Sequence, residues 1–250
     1  MEYSFIQLND LPDEILIIIL KKILNLEVLY SLIGVNHRLN TIAHDSIFTS
    51  HLTLMRYFSD DSIYPLSDPT LNRFCLQILP EIHHKIKWLD LESSSMERIL
   101  LTTNYPNLCG LGLYNISIEK ALSLFIDESS LTYINKNQIS SLVVNIKYEK
   151  LGSAEGVREL IFTNIFTLFT NLQYLNFSIF AIYNKRLPLQ ISSSAVISSN
   201  LLELNVCVEN FVDCLYLLDG RFNKLSTLYV QISLIRSSSL TISNKVDYFE

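Results

Sequence analysis

The sequence predicts a mixed α/β protein, with a short helical N-terminus leading into a curved stack of short parallel strands alternating with helices. Three observations carry this. Helix-spaced apolar residues fill Leu8 to Ile47 without a strand pattern. A short motif, apolar-x-x-apolar-x-apolar, then recurs six times between Ile86 and Val230. Helix-patterned stretches lie between its copies, and a strand–loop–helix unit returning at this interval follows the logic of a solenoid. A non-repetitive α/β domain with a parallel sheet would show a similar alternation. The short, regularly placed strands favour the stack.

The first helix opens in "LNDLPDEILIIILKKIL", Leu8 to Leu24. Asp10 is placed to accept its first free N–H groups, and Pro12 stands where a missing N–H costs nothing. Asp13 and Glu14 meet the positive end of the helix dipole. Ile15, Leu16, Ile19 and Ile23 follow the spacing of one buried face, while Ile17, Ile18 and Leu20 make the remaining sides apolar. A helix apolar nearly all round needs burial on more than one side, either against a partner surface or inside a larger core. The second helix turns Val28, Leu29, Leu32 and Ile33 inward, and a turn at Gly34 to Asn36 leads to a third carrying Leu39, Ile42 and Ala43.

Phe48 to Pro65 reads as a connector. A helix then starts at Ser67 or Asp68, with Pro69 in its first turn. It buries Leu71, Phe74, Cys75, Ile78 and Leu79 and ends at Pro80. The motif copies begin at Ile86, Leu108, Ile139, Leu172, Leu201 and Leu225, spaced 22, 31, 33, 29 and 24 residues apart. Asn107, Asn171 and Asn200 immediately precede the first apolar position, and Asn137 and Asn223 stand one further back. Because asparagine tolerates the left-handed conformation, these positions suit helix-to-strand corners. The intervening helices present Met96, Ile99 and Leu100; Ala121, Leu122 and Phe125; Val157, Leu160, Ile161, Ile165 and Phe169; and Val212, Leu215 and Tyr216.

In a parallel ladder of such strands, Leu89, Leu111, Leu142, Leu175, Leu204 and Leu228 stack as one buried row. Alternation puts Trp88, Asp90, Tyr114, Asn145, Tyr174, Asn176, Asn205 and Tyr229 on the opposite face. That face is rich in aromatics and amides, a composition suited to protein contacts, and Trp88, Tyr114, Tyr174 and Tyr229 are its expected anchors.

Two resemblances add to this. Leu11-Pro12-Asp13-Glu14-Ile15-Leu16, then Ile19, Leu20 and Ile23, then Val35-Asn36-His37-Arg38-Leu39, resembles an F-box, with Leu39 where that family often has Trp. The units from Ile86 onward resemble a degenerate leucine-rich-repeat array. Together they imply a division into an F-box at 1–50, a linker and capping helix at 51–85, and a leucine-rich-repeat-like domain at 86–250. The implied role is that of a non-catalytic substrate receptor of a cullin-RING (SCF-type) ubiquitin ligase. Its Skp-type adaptor would be held by Leu8, Leu11, Pro12, Glu14, Ile15, Leu16, Ile19, Leu20, Val35 and Leu39, and a protein substrate by the sheet face. The alternative is a repeat scaffold without a ligase role, whose helices merely cap the stack.

Composition narrows the other classes. Hydrophobic residues make up 49% and charged residues 18%, which is ample for a core. A net charge of −6 with scattered Lys and Arg disfavours nucleic acid. Neither a membrane span nor a signal peptide is expected, and four Cys without a C-x-x-C pair fit a cytoplasmic or nuclear protein. His37, His44 and His51, seven apart, lack thiol or carboxylate partners at zinc spacing, and the His83-His84 rings point apart if that segment is extended. Phosphate-binding and nucleophile-elbow motifs do not occur. The chain therefore reads as having no catalytic site, cofactor or metal.

Overall fold

Seven leucines set the architecture. Leu52, Leu89, Leu111, Leu142, Leu175, Leu204 and Leu228 are successive register partners across seven parallel strands. The computed structural model describes residues 10–58, 62–126, 131, 133–147, 155–180, 188–189, 198 and 200–234. Its strands are β1 (His51–Tyr57), β2 (Ile63–Pro65), β3 (Trp88–Glu92), β4 (Gly110–Ser117), β5 (Ser141–Lys147), β6 (Tyr174–Phe180), β7 (Glu203–Val208) and β8 (Thr227–Ile232). They form one mixed sheet of order β2-β1-β3-β4-β5-β6-β7-β8, parallel throughout except for β2 against β1. A second row, Leu54, Leu91, Leu113, Val144, Phe177, Val206 and Val230, runs beside the leucines two residues on.

The ladder predicted from Ile86 to Val230 is thus present with its register as expected. Every leucine of the row is fully buried except Leu228, which is half-buried on the last described strand. Burying such a side chain stabilises by about 1.5–3 kcal/mol, so each strand gains most by sitting between two others. One backbone device repeats at each step. The carbonyls of Ser50, Lys87, Cys109, Ser140, Gln173 and Leu202 each accept two successive N–H groups from the entrance of the next strand, at 2.7–3.1 Å.

The asparagine corners work differently from expectation. Among described non-glycine residues only Asn115 and Leu131 have positive φ, so the corner asparagines are not left-handed. Asn107, Asn171 and Asn200 instead donate Nδ2 to the backbone carbonyls of His84 (2.6 Å), Asn137 (2.8 Å) and Thr170 (3.0 Å). A side-chain amide satisfies the exposed corner before it, which joins neighbouring units without any special φ.

Residues 51–85, expected to hold a linker and a capping helix, contribute two strands, β1 and β2, as well as the helical run. Thr49-x-x-Leu52-x-Leu54 is a further copy of the motif, with buried Thr49 in the first apolar place. Its hydroxyl donates to the Asp45 carbonyl (3.0 Å), which makes that burial tolerable. The helical run after β2 also continues past Pro80. It comprises α5 (Asp68–Arg73), a π-helical turn (Phe74–Ile78), α6 (Leu79–Ile82) and a 3-10 turn (His83–Lys85). In the π turn the Leu79 N–H reaches back to the Phe74 carbonyl, and this wider turn accommodates the proline ring.

At the N-terminus lie α1 (Asp13–Leu20), α2 (Asn25–Leu32), α3 (His37–Ala43) and α4 (Ser46–Thr49). Pro12, not Asp10, is the N-cap of α1, and it supplies no side-chain hydrogen bond. Asn36 caps α3 by accepting the Leu39 N–H (2.9 Å). Asn25 Nδ2 donates to the carbonyls of Ile47 (3.3 Å) and His51 (3.1 Å), tying α2 to the first parallel strand. One hydrophobic cluster runs unbroken from Leu16 through the sheet to Phe222.

Between strands lie α7 (Met96–Thr102), α8 (Ile118–Ile126), α9 (Glu155–Leu168) and α10 (Phe211–Leu217). Helix α7 buries the predicted Met96, Ile99 and Leu100, whereas Leu160 of α9 is exposed. In α10 the expected inward Val212 and Leu215 are exposed, and Asp213, Cys214 and Leu217 are buried instead. A capping box explains the rotation. Asn210 accepts from the Asp213 N–H (3.1 Å) while Asp213 accepts from the Asn210 N–H (3.1 Å), fixing which side turns inward. No helix among the described residues is long and apolar enough to cross a membrane.

Candidate functional site

Two surfaces gather the residues singled out by the sequence. The first is the outer side of α1. This helix buries Leu16 and Leu20, one turn apart, in the core, with Ile17 half-buried against it. Ile15 (43% exposed), Ile18 (57%) and Ile19 (41%) face outward, followed by Ile23 and Leu24 in the turn to α2, also exposed. The predicted buried face of Ile15, Leu16, Ile19 and Ile23 is therefore wrong for three of its four members. So short a helix can bury only one narrow stripe.

Of the ten residues assigned to adaptor contact, Pro12, Glu14, Ile15, Ile19 and Val35 are exposed and Leu11 is half-buried. Leu16, Leu20 and Leu39 belong to the core and cannot touch a partner without unfolding the helices. Leu8 lies outside the described residues. Arg38, part of the same motif, has a structural role. Its Nε donates to Asp13 Oδ1 (2.7 Å) and its guanidinium also reaches the Leu11 carbonyl, so α3 clamps the start of α1. The spacing between the two halves of the motif thus corresponds to a direct contact.

The second surface is the sheet face opposite the leucine row. Trp88, Asp90, Tyr114, Asn145, Tyr174, Asn176, Asn205 and Tyr229 all lie on it, as alternation requires. At its β1 end Asp90 is a hub. Its carboxylate accepts from Trp88 Nε1 (2.8 Å), Thr53 Oγ1 (3.1 Å) and His51 Nε2 (2.9 Å). Asp90 is consequently buried and saturated, so the expectation that it contacts a substrate directly is corrected. Two glycines make room for this arrangement. A Cβ on Gly110 would stand 1.9 Å from Trp88 Cε3, and one on Gly112 would stand 2.1 Å from Asp90 Oδ1.

A row of tyrosines crosses the face. The hydroxyls of Tyr114 and Tyr57 share a hydrogen bond, and burial, then the Asp90 charge, hold the Tyr114 phenol well above its ordinary value. Tyr114 in turn senses Tyr174, and Tyr174 senses Tyr229. Burial, then the Glu203 carboxylate, raise the Tyr174 phenol, which accepts a hydrogen bond from Asn176. Sequence reasoning missed His51, Thr53 and Tyr57, because their strand had been read as a connector. The alternation His51-Leu52-Thr53-Leu54 was the available signal.

Between the two surfaces lies a cleft of ≈ 680 Å³ lined by Ile23, Leu24, His51, Met55, Tyr57 and Phe58 among others. Elsewhere the histidines serve local packing. His44 Nδ1 meets the Asn40 carbonyl at 2.7 Å, and His83 and His84, in a 3-10 turn and not extended, contact edge to face at 5.5 Å. Among the described residues, no group of three His, Cys, Asp or Glu side chains could hold a metal ion. In the comparisons with known proteins, no family model and no curated protein matches the chain.

Proposed function

We propose that this protein is a non-catalytic substrate receptor of an SCF-type cullin-RING ubiquitin ligase. Its N-terminal helices are an F-box that binds a Skp-type adaptor, and its strands and helices are a curved, leucine-rich-repeat-like solenoid that binds a target protein. The observation carrying this reading is the apolar outer face of α1. Ile15, Ile18 and Ile19 stay exposed although the same helix buries Leu16 and Leu20, and Ile23 and Leu24 extend the patch. Contiguous exposed aliphatic groups of this kind mark interaction sites. The patch begins at the Leu11-Pro12 pair on which the F-box resemblance rests. The receptor would contribute proximity and orientation, with ubiquitin chemistry left to partner subunits.

Co-purification with a Skp-type adaptor tests this. Ile15→Asp with Ile19→Asp should abolish the complex while the circular dichroism spectrum stays native, because both side chains point to solvent. Undiminished binding by the double variant refutes the assignment. A second reading is also supported by an observation: the unbroken core from α1 into the sheet suits helices that cap a repeat scaffold. On that reading no adaptor binds even the wild-type chain.

A further inference from the structure

We propose that the Tyr174–Glu203–Tyr229 corner of the sheet face receives an arginine side chain of a bound protein; this rests on the reading of that face as the target-binding surface. The three acids of the face differ in how they are satisfied. Asp90 accepts three hydrogen bonds, and Glu92 accepts from the Ser94 N–H (2.8 Å) and Oγ (2.5 Å). The Glu203 carboxylate makes no hydrogen bond or ion pair among the described residues, although the residue is half-buried between its register partners Tyr174 and Thr227. Half-burial of a carboxylate removes part of its water, which favours a cation arriving from outside.

The neighbours of Glu203 suit a planar cation. Asn205 lies two residues along β7, roughly 6.6 Å away at ~3.3 Å rise per residue, on the same face. It too is half-buried, and its side-chain amide makes no hydrogen bond among the described residues. Its register partners are Asn176 and Tyr229, and Tyr229 is 57% exposed. A guanidinium laid against the Tyr174 or Tyr229 ring would find a carboxylate and an amide oxygen as acceptors. It combines cation–π contact with several fixed donors, which the point charge of a lysine does less well. The Glu203 charge helps keep the Tyr174 phenol neutral, so the ring presents no competing anion. Charge on the face is complementary, since its lysine, Lys147, stands at the far end of β5 and is already engaged.

NMR titration of the full chain with N-acetyl-arginine amide, against the neutral isostere N-acetyl-citrulline amide, tests the corner directly. Arginine should shift the Tyr174 and Tyr229 ring signals saturably and bind at least tenfold tighter than citrulline, and Glu203→Gln should remove that tenfold preference. Equal binding of the two probes, no shift at either ring, or an unchanged preference in Glu203→Gln overturns the arginine assignment. Selection of random displayed peptides on the full chain separates this from the parent reading. Selected peptides that need Tyr174 and Tyr229 and are enriched in arginine support both. Peptides that need the tyrosines without arginine enrichment overturn only the arginine site. Peptides indifferent to Tyr174→Ala and Tyr229→Ala overturn both.

Discussion

The leucine row offers a test of how the two ends of the sheet are protected. Leu52, Leu175 and Leu228 occupy equivalent places on the first parallel strand, a central strand and the last described strand. Leu52 and Leu175 are fully buried, because α2 and α4 pack on the first parallel strand as neighbouring strands cover the middle. Leu228 is only half-buried. Truncating leucine to alanine removes three carbons, worth about 2.4 kcal/mol of transfer free energy at ~0.8 kcal/mol each. The cavity left in a site that cannot collapse brings the total to about 3–5 kcal/mol. Leu52→Ala and Leu175→Ala should each cost that much. Leu228→Ala, half-hydrated already and free to relax toward solvent, should cost about 1 kcal/mol. Urea unfolding followed by far-ultraviolet circular dichroism measures all three under one condition, and the slopes show whether unfolding stays a single transition. Equal losses at Leu175 and Leu228 would refute the open end. A loss below about 1 kcal/mol at Leu52 would refute the claim that the helices cover the first strand.

Two further outcomes are expected. Gly110→Ala should push the Trp88 ring off the sheet and break its bond to Asp90, costing about 1–3 kcal/mol. Because Trp88 is the single tryptophan, its fluorescence reports the change directly, and unchanged emission refutes the close packing. At alkaline pH, Tyr105 and Tyr114 should weaken the fold, since burial, the larger cause in both, raises their phenols above the unfolded value of about 10. The folded state then holds protons that the unfolded state releases. Their contribution is therefore complete below about pH 10 and is lost as pH rises through the folded values. Tyr105→Phe keeps the ring and should flatten the fall in urea midpoint between about pH 9 and 11; an unchanged slope contradicts the assignment.

The boundary between legible and illegible runs through particular residues. The strands were readable because alternation has a strict period of two, so a single leucine row fixes both faces at once. Helices of seven or eight residues are weaker signals. In α1 and α10 several apolar stripes were available, and the choice among them fell to Arg38 reaching the start of α1 and to the reciprocal Asn210–Asp213 cap. The first strand escaped notice because Thr49 stands where its counterparts carry an aliphatic group, and only a partner carbonyl at Asp45 makes threonine acceptable there. The anchors of the sheet face were named from alternation alone, but the bond geometry that buries Asp90 was not.

What the sequence determined by itself is local and periodic: the places of the six strands from Ile86 onward, their buried leucine row, and the side of the sheet on which Trp88, Tyr114, Tyr174 and Tyr229 stand. The tertiary structure decided what depends on contacts between residues far apart in the chain. It set which face of α1 stays open, joined His51, Thr53 and Trp88 around Asp90, and left the Glu203 carboxylate without a hydrogen-bond partner among the described residues while its two fellow acids were satisfied. Periodicity specifies direction relative to the backbone, whereas a hydrogen-bond partner 37 or 39 residues away, as Thr53 and His51 are from Asp90, is specified only when the strands come into register.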